Sequence, residues 1–310
     1  MSSIFLPPPI QLINSEIALK AGVQLSVLRL DLMHPSVNGN KWFKLKYNIL
    51  EAKAQKLSTL LTFGGAFSNH IYATAAAGKL FDFRTIGMIR GEETLPLNPT
   101  LQFALEQGMQ LVYLDRQTYG QRHTQELQED LKQRFGEVYI IPEGGGNSLG
   151  VRGCLEIIPQ TANFDTVCLA CGTGTTAAGI TLSLHPHQKA IAFPVLKGGE
   201  FLNAEIDRLL NHYLPSGSFA PWQLVCDYHF GGYAKVNQDL LRFCQNFALE
   251  HHIPLDYVYT GKMFYGVMDL IQRGFFPPGE KLLLIHTGGL QGNVGMEAQL
   301  LKKTFKFSNS

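Results

Sequence analysis

Short apolar runs of strand length recur along this chain, each followed by a longer stretch with helical spacing, and no other feature limits its possible folds as much. The runs are Ser26–Leu30, Thr59–Phe63, Arg84–Ile89, Gln110–Leu114 and Glu137–Ile141, then Thr166–Ala170, Ala190–Val195, Gln223–Cys226 and Lys281–His286. Helical spacing shows between them at Leu101, Phe103 and Ala104, at Leu240, Leu241, Phe243, Cys244 and Phe247, and at Val267, Leu270 and Ile271. Parallel strands need a long crossover, and a helix packed on the sheet supplies it. The pattern therefore predicts an α/β protein with two open, mostly parallel sheets and helices on both faces. One series spans about 59–141 and the other about 165–286, with Ile141-Pro-Glu-Gly-Gly-Gly-Asn147 as the crossover. Open sheets of this kind bind ligands beyond the carboxyl ends of their strands.

The 310 residues leave room for about two domains. Lys and Arg number 26 against 25 Asp and Glu, a net charge of +1 that gives no field for a polyanion, so neither nucleic acid nor a membrane surface is expected as the main partner. No apolar run approaches the ~20 residues that span a bilayer. The first residues lack the cationic and apolar regions of a signal peptide, so a cytoplasmic location is expected. Five cysteines are too few and too odd a set for a disulfide framework.

Five segments carry candidate chemistry. Ala170-Cys-Gly-Thr-Gly-Thr-Thr-Ala-Ala-Gly179 follows a strand and opens a helix, where glycine N–H groups, threonine hydroxyls and the helix dipole suit a phosphate. The ordinary alternative is a tight turn whose glycines only allow close packing. A nicotinamide-dependent oxidoreductase is a further rival, because Gly172, Gly174 and Ala177 fit a dinucleotide fingerprint; that motif wants an acid about 20 residues on, where Lys197 stands. Cys168 and Cys171, a lone C-x-x-C in an apolar strand, read as packing.

In Asn38-Gly-Asn-Lys-Trp-Phe-Lys-Leu-Lys46 a helix begins near Lys41, with Lys44 one turn on. The helix N-terminus and the neighbouring ammonium groups are expected to lower the pKa of Lys41, and a neutral amine is what Schiff-base chemistry needs. Taken alone, such a cluster is more commonly a solvated helix face. Thr62-Phe-Gly-Gly-Ala-Phe-Ser-Asn-His70 is again strand, turn and helix start, with Ser68 as cap and free N–H groups beside it for a carboxylate. Tyr259, in Tyr-Thr-Gly-Lys262, and Tyr233, after two glycines, can set phenols over a ligand ring or simply edge a core. Thr287, in His-Thr-Gly-Gly289 at a strand end, offers a hydroxyl to a heteroaromatic nitrogen.

In this order, Gly-Asn-Lys, Gly-Gly-x-x-Ser-Asn, Gly-Thr-Gly-Thr, Tyr-x-Gly-Lys and His-x-Gly-Gly resemble the 1-aminocyclopropane-1-carboxylate deaminase/D-cysteine desulfhydrase family of pyridoxal-phosphate enzymes, over about Val37–Gly292. The resemblance implies a tryptophan-synthase-β-like fold (pyridoxal-phosphate fold type II). It also implies a large cofactor-binding domain of 1–44 with 155–310, a small α/β domain of 45–154, and a homodimer. It implies that Lys41 carries the cofactor as a Schiff base and moves the α-proton, and that Asn69 bonds the cofactor's phenolic oxygen. Gly172, Thr173, Gly174, Thr175 and Thr176 match the phosphate cup, with Lys44 assisting. Ser68 matches the group that binds the substrate carboxylate and assists proton transfer, within a substrate-side turn that includes Phe67, Asn69 and His70. Tyr259 matches the tyrosine near the cofactor ring, Tyr233 a second phenol, and Thr287 the partner of the pyridine nitrogen.

Two departures shape the expected reaction. The deaminases resemble Tyr-Glu-Gly-Lys, whereas this chain has Thr260, together with Thr287 as in the desulfhydrases. A neutral group at the pyridine nitrogen suits β-elimination of thiolate better than opening of a cyclopropane ring. Phe67 stands where both activities usually have Gln, so the accepted side chain is open. The expectation is a lyase that eliminates the β-substituent of a small amino acid. Deamination of 1-aminocyclopropane-1-carboxylate, other deaminase or racemase chemistry, and a catalytically inactive binding protein are the alternatives.

Overall fold

The computed structural model describes residues 4–215 and 217–296. In chain order the elements are β1 (Ile10–Ile13), α1 (Glu16–Ala21), β2 (Gln24–Arg29), α2 (Asn40–Ala54), β3 (Thr59–Gly64), α3 (Asn69–Phe81), β4 (Arg84–Arg90), α4 (Pro99–Glu106), β5 (Met109–Leu114), α5 (Arg116–Gly120) and α6 (Gln125–Phe135). They continue with β6 (Tyr139–Ile141), α7 (Ser148–Cys154), β7 (Thr166–Cys171), α8 (Thr175–Ser183), β8 (Lys189–Pro194), α9 (Leu202–Tyr213), β9 (Trp222–Leu224), α10 (Gln238–His251), α11 (Thr260–Gln272) and β10 (Lys281–His286).

Two sheets form, as the apolar runs predict. One has the order β5-β4-β3-β6 and is parallel throughout. The other has the order β1-β2-β10-β7-β8-β9 and is parallel except where β1 meets β2. In the first sheet the chain steps outward from β3 to β5 and then returns to place β6 on the other side of β3. In the second it steps from β7 to β9 and returns to place β10 beside β7. Each reversal opens a crevice at the carboxyl ends, and the glycine turns after β3 and β7 stand in those crevices.

Central strands are the most completely buried. Every residue of β3 and β7 is buried, which fits nearly continuous apolar runs covered on both faces. Cys168 and Cys171 are free thiols within β7, and burial pushes Cys171 up to about 11, so the pair is packing. The boundaries shift at the periphery. β1 lies outside the predicted runs, β6 starts at Tyr139 rather than Glu137, and β9 pairs only Trp222–Leu224 with β8.

Helices α2 and α7 lie so close that a Cβ on Gly153 would sit 1.8 Å from the Phe43 carbonyl oxygen. Only glycine allows that approach. Asn147, the last residue of the crossover, caps α7 by accepting from Gly150 N–H at 2.8 Å and donates to buried Asn48 of α2 at 2.7 Å. Among the described residues no helix is long and apolar enough to cross a membrane.

Candidate active site

The start of α2 is fastened to the end of β10. Gly39 has φ +65°, and a Cβ there would lie 2.0 Å from the Thr287 carbonyl oxygen, which accepts from Asn40 N–H at 3.3 Å. Buried Asn40 then links two segments far apart in sequence. Its Nδ2 donates to Thr176 Oγ1 at 2.9 Å, and its Oδ1 accepts from Lys41 Nζ at 2.7 Å. Lys44 Nζ donates to Thr173 Oγ1 at 3.3 Å. The amine of Lys41 and the glycine–threonine loop therefore share one small volume. The Lys41 amine is pushed down to about 7, chiefly by burial and then by the Lys44 ammonium, against the opposing pull of Asp256. Burial thus outweighs the neighbouring charges emphasised by the sequence argument. Lys46 turns outward and pairs with Glu156.

The loop after β7 has the form expected of an anion cradle. Gly174 precedes α8 with φ +76°, and no side chain caps that helix. Its first N–H groups are free of the side-chain acceptor that ends most helices. The Thr173 and Thr175 hydroxyls lie 3.3 Å apart, and a Cβ on Gly172 would come 3.1 Å from Tyr259 Cε1. Hydroxyls, uncapped amides and a lysine ammonium suit a phosphate, and the ring of Tyr259 lies against the same loop.

The turn after β3 is built differently. Ser68 Oγ accepts from the N–H groups of His70 at 3.2 Å and Ile71 at 3.3 Å, capping α3 as its position predicts. Asn69 Oδ1 accepts from Gln291 Nε2 at 2.9 Å, and the Phe67 ring packs where a Cβ on Gly295 would meet it at 3.2 Å. Phe67, Asn69, Tyr233, Asp256, Tyr259 and Met296 line one cavity. His70 lies apart from it. Thr62 donates to the Ile141 carbonyl at 2.8 Å and so accepts from His70 Nε2 at 2.8 Å, leaving Nδ1 unpartnered among the described residues. Burial and then the two lysines hold this imidazole down to about 3, so it is neutral.

Asp256 closes the far side. Its Oδ1 accepts from Val258 and Tyr259 N–H at 3.1 and 2.7 Å, and its Oδ2 accepts from Thr260 N–H at 2.8 Å and from the Thr260 hydroxyl. The carboxylate is consumed in starting α11. Lys41 Nζ stands 5.9 Å from the centre of the Tyr259 ring, whose hydroxyl is 3.5 Å from that of Tyr233. The buried Thr287 side chain makes no hydrogen bond among the described residues. Sequence reasoning missed Asn40, Asp256 and Gln291. The first lies inside the quoted Gly-Asn-Lys run, and Asp256 bonds the N–H groups two to four residues on, as aspartates in turns do. Nothing local marks Gln291.

Comparison with known proteins gives the family and the fold. Residues 9–288 match the model of the family described as pyridoxal-phosphate-dependent enzyme, and the chain belongs to that family. It is therefore a pyridoxal-phosphate-dependent enzyme, and the nicotinamide reading of the Gly172–Ala177 loop falls. A Pyrococcus horikoshii protein provisionally named 1-aminocyclopropane-1-carboxylate deaminase is 30% identical over 305 residues, covering 94% of this chain and 92% of that one. The Arabidopsis thaliana bifunctional D-cysteine desulfhydrase/1-aminocyclopropane-1-carboxylate deaminase, mitochondrial, is 30% identical over 312 residues, with 93% of this chain and 77% of that one covered. The crystal structure of an ACC deaminase homologue superposes with a TM-score of 0.84 at 29% identity, over 96% of this chain and 94% of that one. The same type of fold, with pyridoxal phosphate as cofactor, is thus established for this chain.

Proposed function

We propose that the chain is a D-cysteine desulfhydrase-like lyase, which removes the β-substituent of a small amino acid and yields a 2-oxo acid, ammonia and, from D-cysteine, sulfide. When bound, pyridoxal phosphate withdraws electrons from the substrate α-carbon. The Thr173–Thr176 hydroxyls, the glycine amides and Lys44 would hold its phosphate, and Asn69 its phenolic oxygen. Lys41 supplies the amine that engages the cofactor and then takes the α-proton. Ser68, whose oxygen caps α3 while its O–H stays free to donate, would receive the substrate carboxylate beside Phe67 and Asn69, with His70 apart from the cavity behind them, and Tyr233 and Tyr259 face the departing group.

One observation carries the choice of elimination. The resemblance puts Thr260 and Thr287, not a carboxylate, on the pyridine-nitrogen side, and the nearby carboxylate of Asp256 is saturated by N–H and O–H donors of Val258, Tyr259 and Thr260. Among the described residues no free carboxylate is left there to keep a pyridine protonated, and expulsion of thiolate needs less electron withdrawal than opening a strained ring. Opening of 1-aminocyclopropane-1-carboxylate remains the competing reading because relatives carry that name.

The two sheets support reading 1–44 with 155–310 as the large cofactor-binding domain and 45–154 as the small α/β domain. Homodimer formation and a cytoplasmic location complete the proposal. Its test is turnover of both enantiomers of cysteine, serine and β-chloroalanine, and of 1-aminocyclopropane-1-carboxylate, with 2-oxo acid and sulfide measured. Thiol and chloride substrates should react and the cyclopropane should not, and Lys41→Ala should lose roughly a thousandfold or more. Faster turnover of the cyclopropane, or an unimpaired Lys41→Ala, would reverse the assignment.

A further inference from the structure

Lys262 is only 1% exposed, yet among the described residues its ammonium makes no ion pair. It donates instead to two backbone carbonyls, His229 at 2.9 Å and Gly232 at 2.7 Å. A buried ammonium is costly unless its donors are satisfied, so this placement requires a compensating purpose. The loop it grips is unusual. Phe230, Gly231, Gly232 and Ala234 all have left-handed φ, at +52°, +90°, +115° and +54°. Two of these are non-glycine residues in a conformation their Cβ disfavours, so the loop needs an external hold.

The hold comes from a fixed element. Near the start of α11, a Cβ on Gly261 would lie 2.6 Å from Cys244 Sγ. Five residues further on, a Cβ on Gly266 would lie 2.8 Å from Phe193 and Tyr228. The helix therefore cannot shift without clashes. Tyr259 immediately precedes α11 and Lys262 follows three residues later, so one rigid turn carries both a phenol and the grip on the loop that carries the other phenol. Tyr233 is 38% exposed at the cavity rim, with its ring edge-on to Tyr259 at 6.0 Å between centres.

We propose that Lys262 is a positioning residue, whose buried ammonium holds the His229 and Gly232 carbonyls and so sets the Tyr233 phenol against Tyr259 at the substrate side of the cavity. The proposal rests on the function given above in that it takes both phenols to face substrate. Burial lowers the Lys262 amine to about 8, against the opposing pull of the Asp256 charge.

The test has two arms. Hydrogen exchange followed by mass spectrometry on the full chain compares wild type with Lys262→Met and Lys262→Arg. Lys262→Met should speed exchange in 229–235 by about tenfold or more while 260–272 stays protected, and Lys262→Arg should restore part of the protection. Kinetics of the pyridoxal-phosphate-loaded enzyme then compares Lys262→Met, Tyr233→Phe and the double variant. If Lys262 acts through Tyr233, the double variant is no slower than the slower single one. Unchanged exchange in 229–235, or losses that multiply, would overturn the positioning role. A wild-type enzyme that eliminates nothing sinks the functional reading instead, and the exchange arm still decides the role of Lys262. Should Lys262→Met not fold, Lys262→Gln takes its place in both arms.

Discussion

The two glycine turns, after β3 and after β7, have the same outline and opposite chemistry. Both follow a fully buried strand at a crevice of their sheet and both open a helix. After β3, Ser68 turns its own oxygen back onto two N–H groups of α3. After β7, Gly174 has no oxygen to turn, and α8 starts without a side-chain cap beside Lys44 and two threonine hydroxyls. A helix start binds an anion to the extent that its N–H groups are left for it. The comparison teaches that strand, glycine and helix make a crevice, while the residue just before the helix decides what the crevice holds.

That contrast can be broken at either turn. The largest effect is expected from Gly174→Asp, which sets a carboxylate in the uncapped turn. Spectroscopic titration with pyridoxal phosphate should show affinity lower by about a hundredfold or more. Acid should weaken the same event more gradually. Lys41 is neutral above about 7 and protonated below it, and only the neutral amine attacks an aldehyde. Recombination of cofactor-free protein with pyridoxal phosphate should therefore slow about tenfold for each pH unit below that point, as stopped-flow absorbance would record. The smallest effect belongs to Ser68→Ala, which should cost about 1 kcal/mol in urea unfolding by loss of a cap and leave cofactor affinity nearly unchanged. If it weakened the cofactor as much as Gly174→Asp, the two turns would not differ in the way described.

Most of the fold was legible because central parallel strands, covered on both faces, read as nearly continuous apolar runs and their helices carry a separate period. β7 and β10 could be read nearly to the residue for that reason. β1 was not, because it is an edge strand with Ile10 and Leu12 exposed, and its segment follows three prolines. The linear motifs announced Lys41, Ser68 and the threonine loop. What the sequence hid was how they are held. Asn40 bonds Thr176 across 136 positions and Lys262 bonds Gly232 across 30, and such partners are chosen by tertiary packing rather than by neighbours in the chain. The downward shift of Lys41 was expected, but its main cause, burial, depends on everything that surrounds the amine.

The Gly39–Thr287 crossing has an evolutionary consequence. It locks Lys41 to the six-stranded sheet, while Phe67, Ser68 and Asn69 ride on the other one. Changes at Phe67 can explore new metabolites while Lys41 and the glycine–threonine loop stay in place, whereas Asn69 in the same turn is tied to the coenzyme. A single ancestral scaffold of this design can therefore diversify by changing one half and inheriting the other intact.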